Sequence, residues 1–305
     1  HILGAAGVLL SFEEGGASRR LFYTSDTNMR SQFIIPGGEY PEEPVDVLVL
    51  ESTLAADPEA ELTTRRAEEE RFAEAVAAVV KRGGSVLVPA FALGRAQEIL
   101  ALIDRYKKRG VIPDEVPVYT AGSMRAVADL YDKTRYVTPR LNPDFQVFGV
   151  EQKRLPRGEA AKLAVLGEPG IHIAGSGMMF ERTLSYQLAQ QMIGDEKNAV
   201  FFVGFAKEDS PAHRLMEAGA KGKGAEVILS NGAEPQVVNC EVQRFRFSGH
   251  SHRRDLIEIV EMLKPKKIVL VHGEASARTW MSDNLRFFYP DTEVYLPEHG
   301  VPLEL

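Results

Sequence analysis

Hydrophobic and polar positions along this chain switch repeatedly between two periods. Short runs rich in β-branched residues, "GVLLSFE" (7–13), "RLFYTS" (20–25) and "VDVLVLE" (45–51), read as strands. The stretch "TTRRAEEERFAEAVAAVVKRGG" (63–84) then takes up helical spacing. Its apolar positions Phe72, Val76, Val79 and Val80 share a face, and Gly83-Gly84 marks its stop. From there the two patterns alternate. Strands are predicted at "SVLVPA", "VPVYT", "GIHIA", "AVFFVGF" and "AEVILS", with helices over "GRAQEILALIDRYKKRG", "SMRAVADLYDK", "ERTLSYQLAQQM" and "SPAHRLMEAGA". The C-terminal part continues in kind. "VQRFRFS" reads as a strand, "RRDLIEIVEMLK" as a helix burying Leu256, Ile259, Val260 and Leu263, "KKIVLVH" as a strand, "SARTWMSDNLRFF" as a helix and "TEVYLP" as a strand. Such alternation predicts an α/β fold, a parallel sheet flanked by helices. The least regular segment, 135–170, reads as an excursion.

Composition narrows the chemistry. The chain has 305 residues, enough for one large domain or two ordinary ones. Its longest apolar run, "AVFFVGFA" (199–206), is far too short to span a bilayer. A single cysteine, Cys240, excludes an internal disulfide and a cysteine-rich zinc site, and suggests a reducing, cytoplasmic setting. Any metal site must therefore draw on His, Asp and Glu. The formal charge of −7 means that a polyanion would be met in a local cleft, not over the whole surface.

Four predicted strands end on a residue capable of chemistry: Asp26, Glu51, His250 and His272. In open α/β folds, sites form at the carboxyl ends of strands. One Asp there is commonly a cap or a turn former, and His272 alone reads equally well as a structural histidine. Four together, two of them imidazoles, form a constellation. Imidazole and carboxylate donors without thiolate suit a hydrolytic metal such as zinc. An aspartate, with two oxygens, is a natural bridge between two ions that clamp a phosphodiester.

The segments "HILGAAG", "YTSD", "LESTLA", "GSVLVPAFALGRAQEIL", "AGSGMM", "NAVFFVGF", "FSGHS" and "IVLVHGE" occur in an order that resembles the β-CASP nucleases of the metallo-β-lactamase superfamily. The resemblance covers nearly the whole chain. "HGE" or "SGH" alone is weak, but the ordered set around "PAFALGRAQE" is specific. It implies the C-terminal half of a metallo-β-lactamase αββα domain (1–55 and 238–305) with an inserted β-CASP domain (56–237), and substrate held in the cleft between them. The implied activity is zinc-dependent hydrolysis of RNA phosphodiester bonds, with two zinc ions per full-length active site. RNA is the implied partner, with no membrane, and with assembly as a homodimer or within an RNA-processing complex. The family also includes non-catalytic scaffold subunits, which is the alternative.

Carried over to matching positions, the resemblance makes His1, Asp26 and His272 metal ligands, with Asp26 bridging. His250 would protonate the leaving oxygen, and Glu51 would hold its ring. Ser248 and Ser251 would donate to the phosphate or cap the following helix. Ser176 and Gly177 of "AGSGMM", with Arg182, would line the substrate cleft. The family's His-x-His-x-Asp-His motif would lie upstream of His1, so the polypeptide as it stands is expected to be inactive alone. Three departures from the family pattern stand out. Leu54-Ala55 replaces Tyr-Gly, His252 replaces an Asp, and "AKEDSPAHRL" replaces a Gly-rich stretch. His252 reads as a surface histidine before a ligand. Arg95 and Gln97 read as structural, and His172, His213 and His299 as structural or surface. Arg244 and Arg246 are the basic pair best placed to meet RNA.

Overall fold

The computed structural model describes residues 1–58, 62–156 and 165–305, so 157–164 of the expected excursion lie outside the described residues. The chain divides into two compact units, one formed by 1–63 with 249–305 and the other by 64–248.

The first unit opens with β1 (Val8–Glu14), β2 (Ala17–Tyr23) and β3 (Val47–Glu51). The second contains α1 (Arg65–Lys81), β4 (Val86–Pro89), α2 (Arg95–Lys108), β5 (Val118–Thr120), α3 (Gly122–Lys133) and β6 (Lys153–Arg154). It continues with β7 (Ile171–Ala174), α4 (Leu184–Met192), β8 (Ala199–Phe202), α5 (Pro211–Lys221), β9 (Ala225–Val227), β10 (Gln236–Val238) and β11 (Glu241–Arg244). The first unit then closes with α6 (Arg253–Leu263), β12 (Lys267–Val271), α7 (Ala275–Phe288) and β13 (Glu293–Tyr295).

The sheet of the first unit runs β1-β2-β3-β12-β13. Only β1 and β2 are antiparallel; the other neighbours are parallel. Leu48, Leu50, Ile268 and Leu270 project from one face into a core with Leu256, Ile259 and Leu263 of α6 and Met281 and Leu285 of α7. That apolar stripe at helical spacing is why these two segments are helices lying on the sheet. β1 is exposed along its whole length, including Val8, Leu9, Leu10 and Phe12, and Tyr23 of β2 is exposed opposite Val8.

The second unit carries an all-parallel sheet in the order β11-β8-β4-β7-β5-β6. Its central strands are buried from end to end, as expected of a parallel sheet covered on both faces. Thr64 caps α1 by accepting from the Ala67 N–H, and Gln97 does the same work at α2, where its side chain accepts from the Gly94 N–H. β9 and β10 form a separate antiparallel pair outside this sheet. No helix among the described residues is long and apolar enough to cross a membrane.

Candidate metal centre

The site of the first unit forms where β2, β3 and β12 run out, joined by the turn before α6. β3 and β12 are in parallel register up to Glu51 and Val271, so residues 52–53 and 272–273 leave the sheet side by side. Ser52 locks the crossing: its N–H donates to the His272 carbonyl at 2.9 Å and its Oγ to the Val271 carbonyl at 2.9 Å. Gly273 is required there, because a Cβ would stand 2.9 Å from the Ser52 carbonyl oxygen. Two non-glycine residues at the site take left-handed backbone: Ser25, with φ of 54°, and His272, with φ of 46°. Such conformations persist where the surroundings over-determine them, and they cluster at functional sites.

Glu51 is the organising group. It is fully buried, and its carboxylate faces three segments at once. Oε1 accepts from the Thr27 N–H at 3.0 Å and Oε2 from the Thr53 N–H at 3.1 Å, while His250 Nδ1 lies 2.9 and 3.1 Å from the two oxygens. Burial alone would push this carboxyl up. The hydrogen bond and charge of His250, with the N–H groups of Thr53 and Thr27, outweigh it and hold Glu51 below the usual carboxylate range.

Asp26 sits between two histidines, one to each oxygen. Oδ2 is 3.6 Å from His1 Nε2, and Oδ1 is 3.2 Å from His272 Nδ1. The other ring nitrogen of His1 is 3.0 Å from the Gly249 carbonyl, which accepts from it and so directs Nε2 at Asp26. The His250 ring lies between its neighbours, its centroid 4.3 Å from His1 at a tilt of 50° and 5.7 Å from His272, on which it stacks. Ligand atoms of His1, Asp26 and His250 lie within 4.8 Å of one another, as do those of Glu51, His250 and His272. The donor set is imidazole nitrogen and carboxylate oxygen, with Asp26 offering a separate oxygen toward each of two rings, and it fits a borderline metal such as zinc.

His1, Asp26, Glu51, His250 and His272 are thus brought together in one unit. Ser251 adjoins them but is fully buried. Its N–H donates to the Thr27 carbonyl at 2.8 Å and its Oγ accepts from the Met29 N–H at 3.0 Å, so it laces the Asp26 loop to the His250 turn instead of presenting a hydroxyl to solvent. Gly37 lets the same loop close on itself, since a Cβ there would overlap the Met29 carbonyl. His252 sits at the N-cap of α6 with Nε2 3.4 Å from the buried Asp255, which also holds Arg30 at 2.7–2.8 Å. A cavity of about 700 Å³ opens beside His272, lined among others by Arg278, Thr279, Leu296 and His299.

Ser176, Gly177, Arg182 and Ser248 belong to the second unit. Ser176 and Gly177 form the turn between β7 and α4, at the carboxyl edge of the parallel sheet. There Ser176 Oγ accepts from the Phe180 N–H at 3.3 Å, and the Phe91 ring packs so close to Gly177 that a Cβ would meet it at 3.1 Å. Arg182 is exposed in the same turn, with φ of 66°. Ser248 is half-buried after β11, and Arg246 is anchored through its backbone N–H to Glu68 at 2.8 Å. Burial lowers the Arg95 pKa to about 10, and Gln97 is spent on capping. His172 is buried and stacked on Tyr119, and burial pushes it down to about 4. His213 faces Glu217 at 3.7 Å.

Sequence reasoning passed over Thr27 and Thr53, which fasten Glu51 to the two neighbouring segments. The signal was there in part, because each stands one or two residues beyond a strand-end carboxylate, in "SDT" and "EST".

Residues 236–297 match the model of the Zn-dependent metallo-hydrolase RNA specificity domain, and residues 96–215 match the Beta-Casp domain. An RNase J-like protein of Methanocaldococcus jannaschii is 30% identical over 97% of this chain and 69% of its own length. Cleavage and polyadenylation specificity factor subunit 3 of Dictyostelium discoideum is 28% identical over 100% of this chain and 38% of its own. Transcription termination factor FttA of Methanothermobacter thermautotrophicus is 30% identical over 90% and 44%. The chain belongs to the β-CASP family of the metallo-β-lactamase superfamily. It spans 38% to 69% of the length of these three relatives.

Proposed function

We propose that the protein is a zinc-dependent ribonuclease, with His1, Asp26 and His272 as ligands and His250 as the proton donor to the leaving oxygen. One observation carries this reading: Asp26 offers a separate oxygen toward each of two histidines, beside a third histidine held by a buried carboxylate. Zinc held by His1, Asp26 and His272 would supply Lewis acidity toward a phosphodiester oxygen and toward water. The residues of the chain do the rest. Glu51 fixes the His250 ring by Nδ1, which leaves Nε2 to deliver a proton, and Ser251 and Thr27 keep the Asp26 loop in place. RNA as substrate is supported by the RNA specificity match and by the names of the relatives. Ser176, Gly177, Arg182 and Ser248, all of the second unit, are proposed RNA contacts.

The test is cleavage of a labelled single-stranded RNA by the full-length protein. Activity that is lost on chelation, returns with zinc and is absent from His250→Ala supports the reading. RNA binding without cleavage under all metal conditions would instead favour a scaffold role.

A further inference from the structure

Two side chains converge on one nitrogen of His272. Nδ1 lies 3.0 Å from Thr53 Oγ1 and 3.2 Å from Asp26 Oδ1. An ionised carboxylate only accepts hydrogen bonds. An Nδ1–H tautomer is the one that satisfies both contacts, and it leaves the lone pair on Nε2. The Thr53 hydroxyl also lies 3.4 Å from the backbone oxygen of His272, to which it donates. One hydroxyl thus accepts from the ring and donates to the main chain of the same residue.

Thr53 is itself held. Its N–H is bound to Glu51 Oε2 at 3.1 Å, and the preceding residue grips His272 through the Ser52 N–H. The grip matters because His272 leaves β12 in left-handed backbone, a conformation that a free histidine abandons. Half of the His272 side chain is exposed, at 52%, so packing alone does not orient the ring.

We infer that Thr53 is a positioning residue for His272: its hydroxyl fixes the tautomer and ring direction that present Nε2 to a divalent metal. The inference rests on the reading of His272 as a ligand given above. Asp26 cannot fill the same role once its oxygens serve a metal, whereas Thr53 stays available to Nδ1. Partners on the far nitrogen orient a ligating imidazole and raise its basicity, and their loss commonly costs about 10- to 100-fold in metal affinity. Through Thr53, Glu51 also reaches His272, so one buried carboxylate sets the Asp26 loop, the His250 ring and the His272 ring together.

The experiment compares the full-length parent with Thr53→Val, which keeps the branched shape but removes the hydroxyl, and Thr53→Ser, which keeps the hydroxyl. Ring ¹H–¹⁵N spectra of His272 are recorded on metal-free protein, and zinc affinity is measured by competition with a chromophoric chelator. The expected result is an Nδ1–H tautomer in parent and Thr53→Ser. Thr53→Val should show mixed tautomers, with zinc affinity lower by about tenfold or more. Zinc affinity and ring spectrum unchanged in Thr53→Val would overturn the inference. An Nε2–H tautomer in the metal-free parent would overturn it without any variant, and so does not depend on how the substitutions fold. Failure of the parent to take up zinc would instead overturn the metal reading on which the inference rests.

Discussion

Glu51 grips His250 with both carboxylate oxygens, 2.9 and 3.1 Å from Nδ1, while the same two oxygens hold the N–H groups of Thr27 and Thr53. Replacing one oxygen by an amide nitrogen turns a donor toward a donor. Glu51→Gln should therefore leave a buried N–H unpaired and cost on the order of 1–3 kcal/mol at neutral pH. The folded-state pKa of Glu51 is depressed, so its contribution is present above the carboxylate range and is lost as pH falls through it. The melting-temperature gap between parent and Glu51→Gln should be widest near neutrality and close in acid. A gap that is constant with pH would show that the charge of Glu51 is not what stabilises the site.

His250 and His272 separate chemistry from metal binding. His250→Ala should lower RNA cleavage by about 10²- to 10⁴-fold, the usual contribution of a general acid, with zinc content nearly intact. His272→Ala should lower both. Metal analysis beside cleavage rates checks this, and equal metal loss in the two variants would remove His250 from its proposed role.

Ser251 offers a test of the loop tie. Ser251→Ala deletes the acceptor of the Met29 N–H inside a fully buried site. The expected cost is about 1–3 kcal/mol, read as a lower melting temperature, together with weaker zinc retention as the Asp26 loop loosens. A stable variant with parental zinc affinity but weak RNA binding would return Ser251 to the substrate-facing role that the sequence suggested.

His172 gives a pH signature in the second unit. Both ring nitrogens are buried without hydrogen-bond partners among the described residues, and burial holds the folded-state pKa near 4 against 6.5 for an ordinary histidine. Between those values the unfolded chain takes up a proton that the folded chain refuses. The stabilisation is whole above 6.5 and is lost as pH falls toward 4. The loss is on the order of 3 kcal/mol. His172→Phe, which keeps a ring against Tyr119, should flatten that part of the stability profile. Parallel profiles for parent and variant would contradict it.

Local periodicity made most elements legible. The stripe of Phe72, Val76 and Val79 and the glycines at 83–84 mark α1, found at Arg65–Lys81, and the run "VLVP" is β4. Sheet membership was not legible. "AEVILS" has the look of another parallel strand, yet Ala225–Val227 pairs antiparallel with β10, its neighbour in sequence, outside the main sheet; the pattern of the segment itself does not say which partner it takes. The alternation in "VQRFRFS" likewise cannot say which sheet it joins; Glu241–Arg244 lies beside β8. At the site, residue types at strand ends pointed to Asp26, Glu51, His250 and His272. What sequence could not give was the burial of Ser251 or the contact of Thr53 with His272, which joins residues 219 positions apart.

The measurement closest to the central claim is zinc-titrated cleavage of single-stranded RNA by chelator-treated full-length protein, parent against Asp26→Asn. Asp26 turns one carboxylate oxygen toward His1 and the other toward His272, so its second anionic oxygen is the feature on which the metal centre depends. The account predicts no cleavage without metal, recovery of the parent as zinc is added, and no recovery of Asp26→Asn at the same zinc concentrations. Undiminished cleavage by the chelated parent, or full recovery of Asp26→Asn, would contradict it.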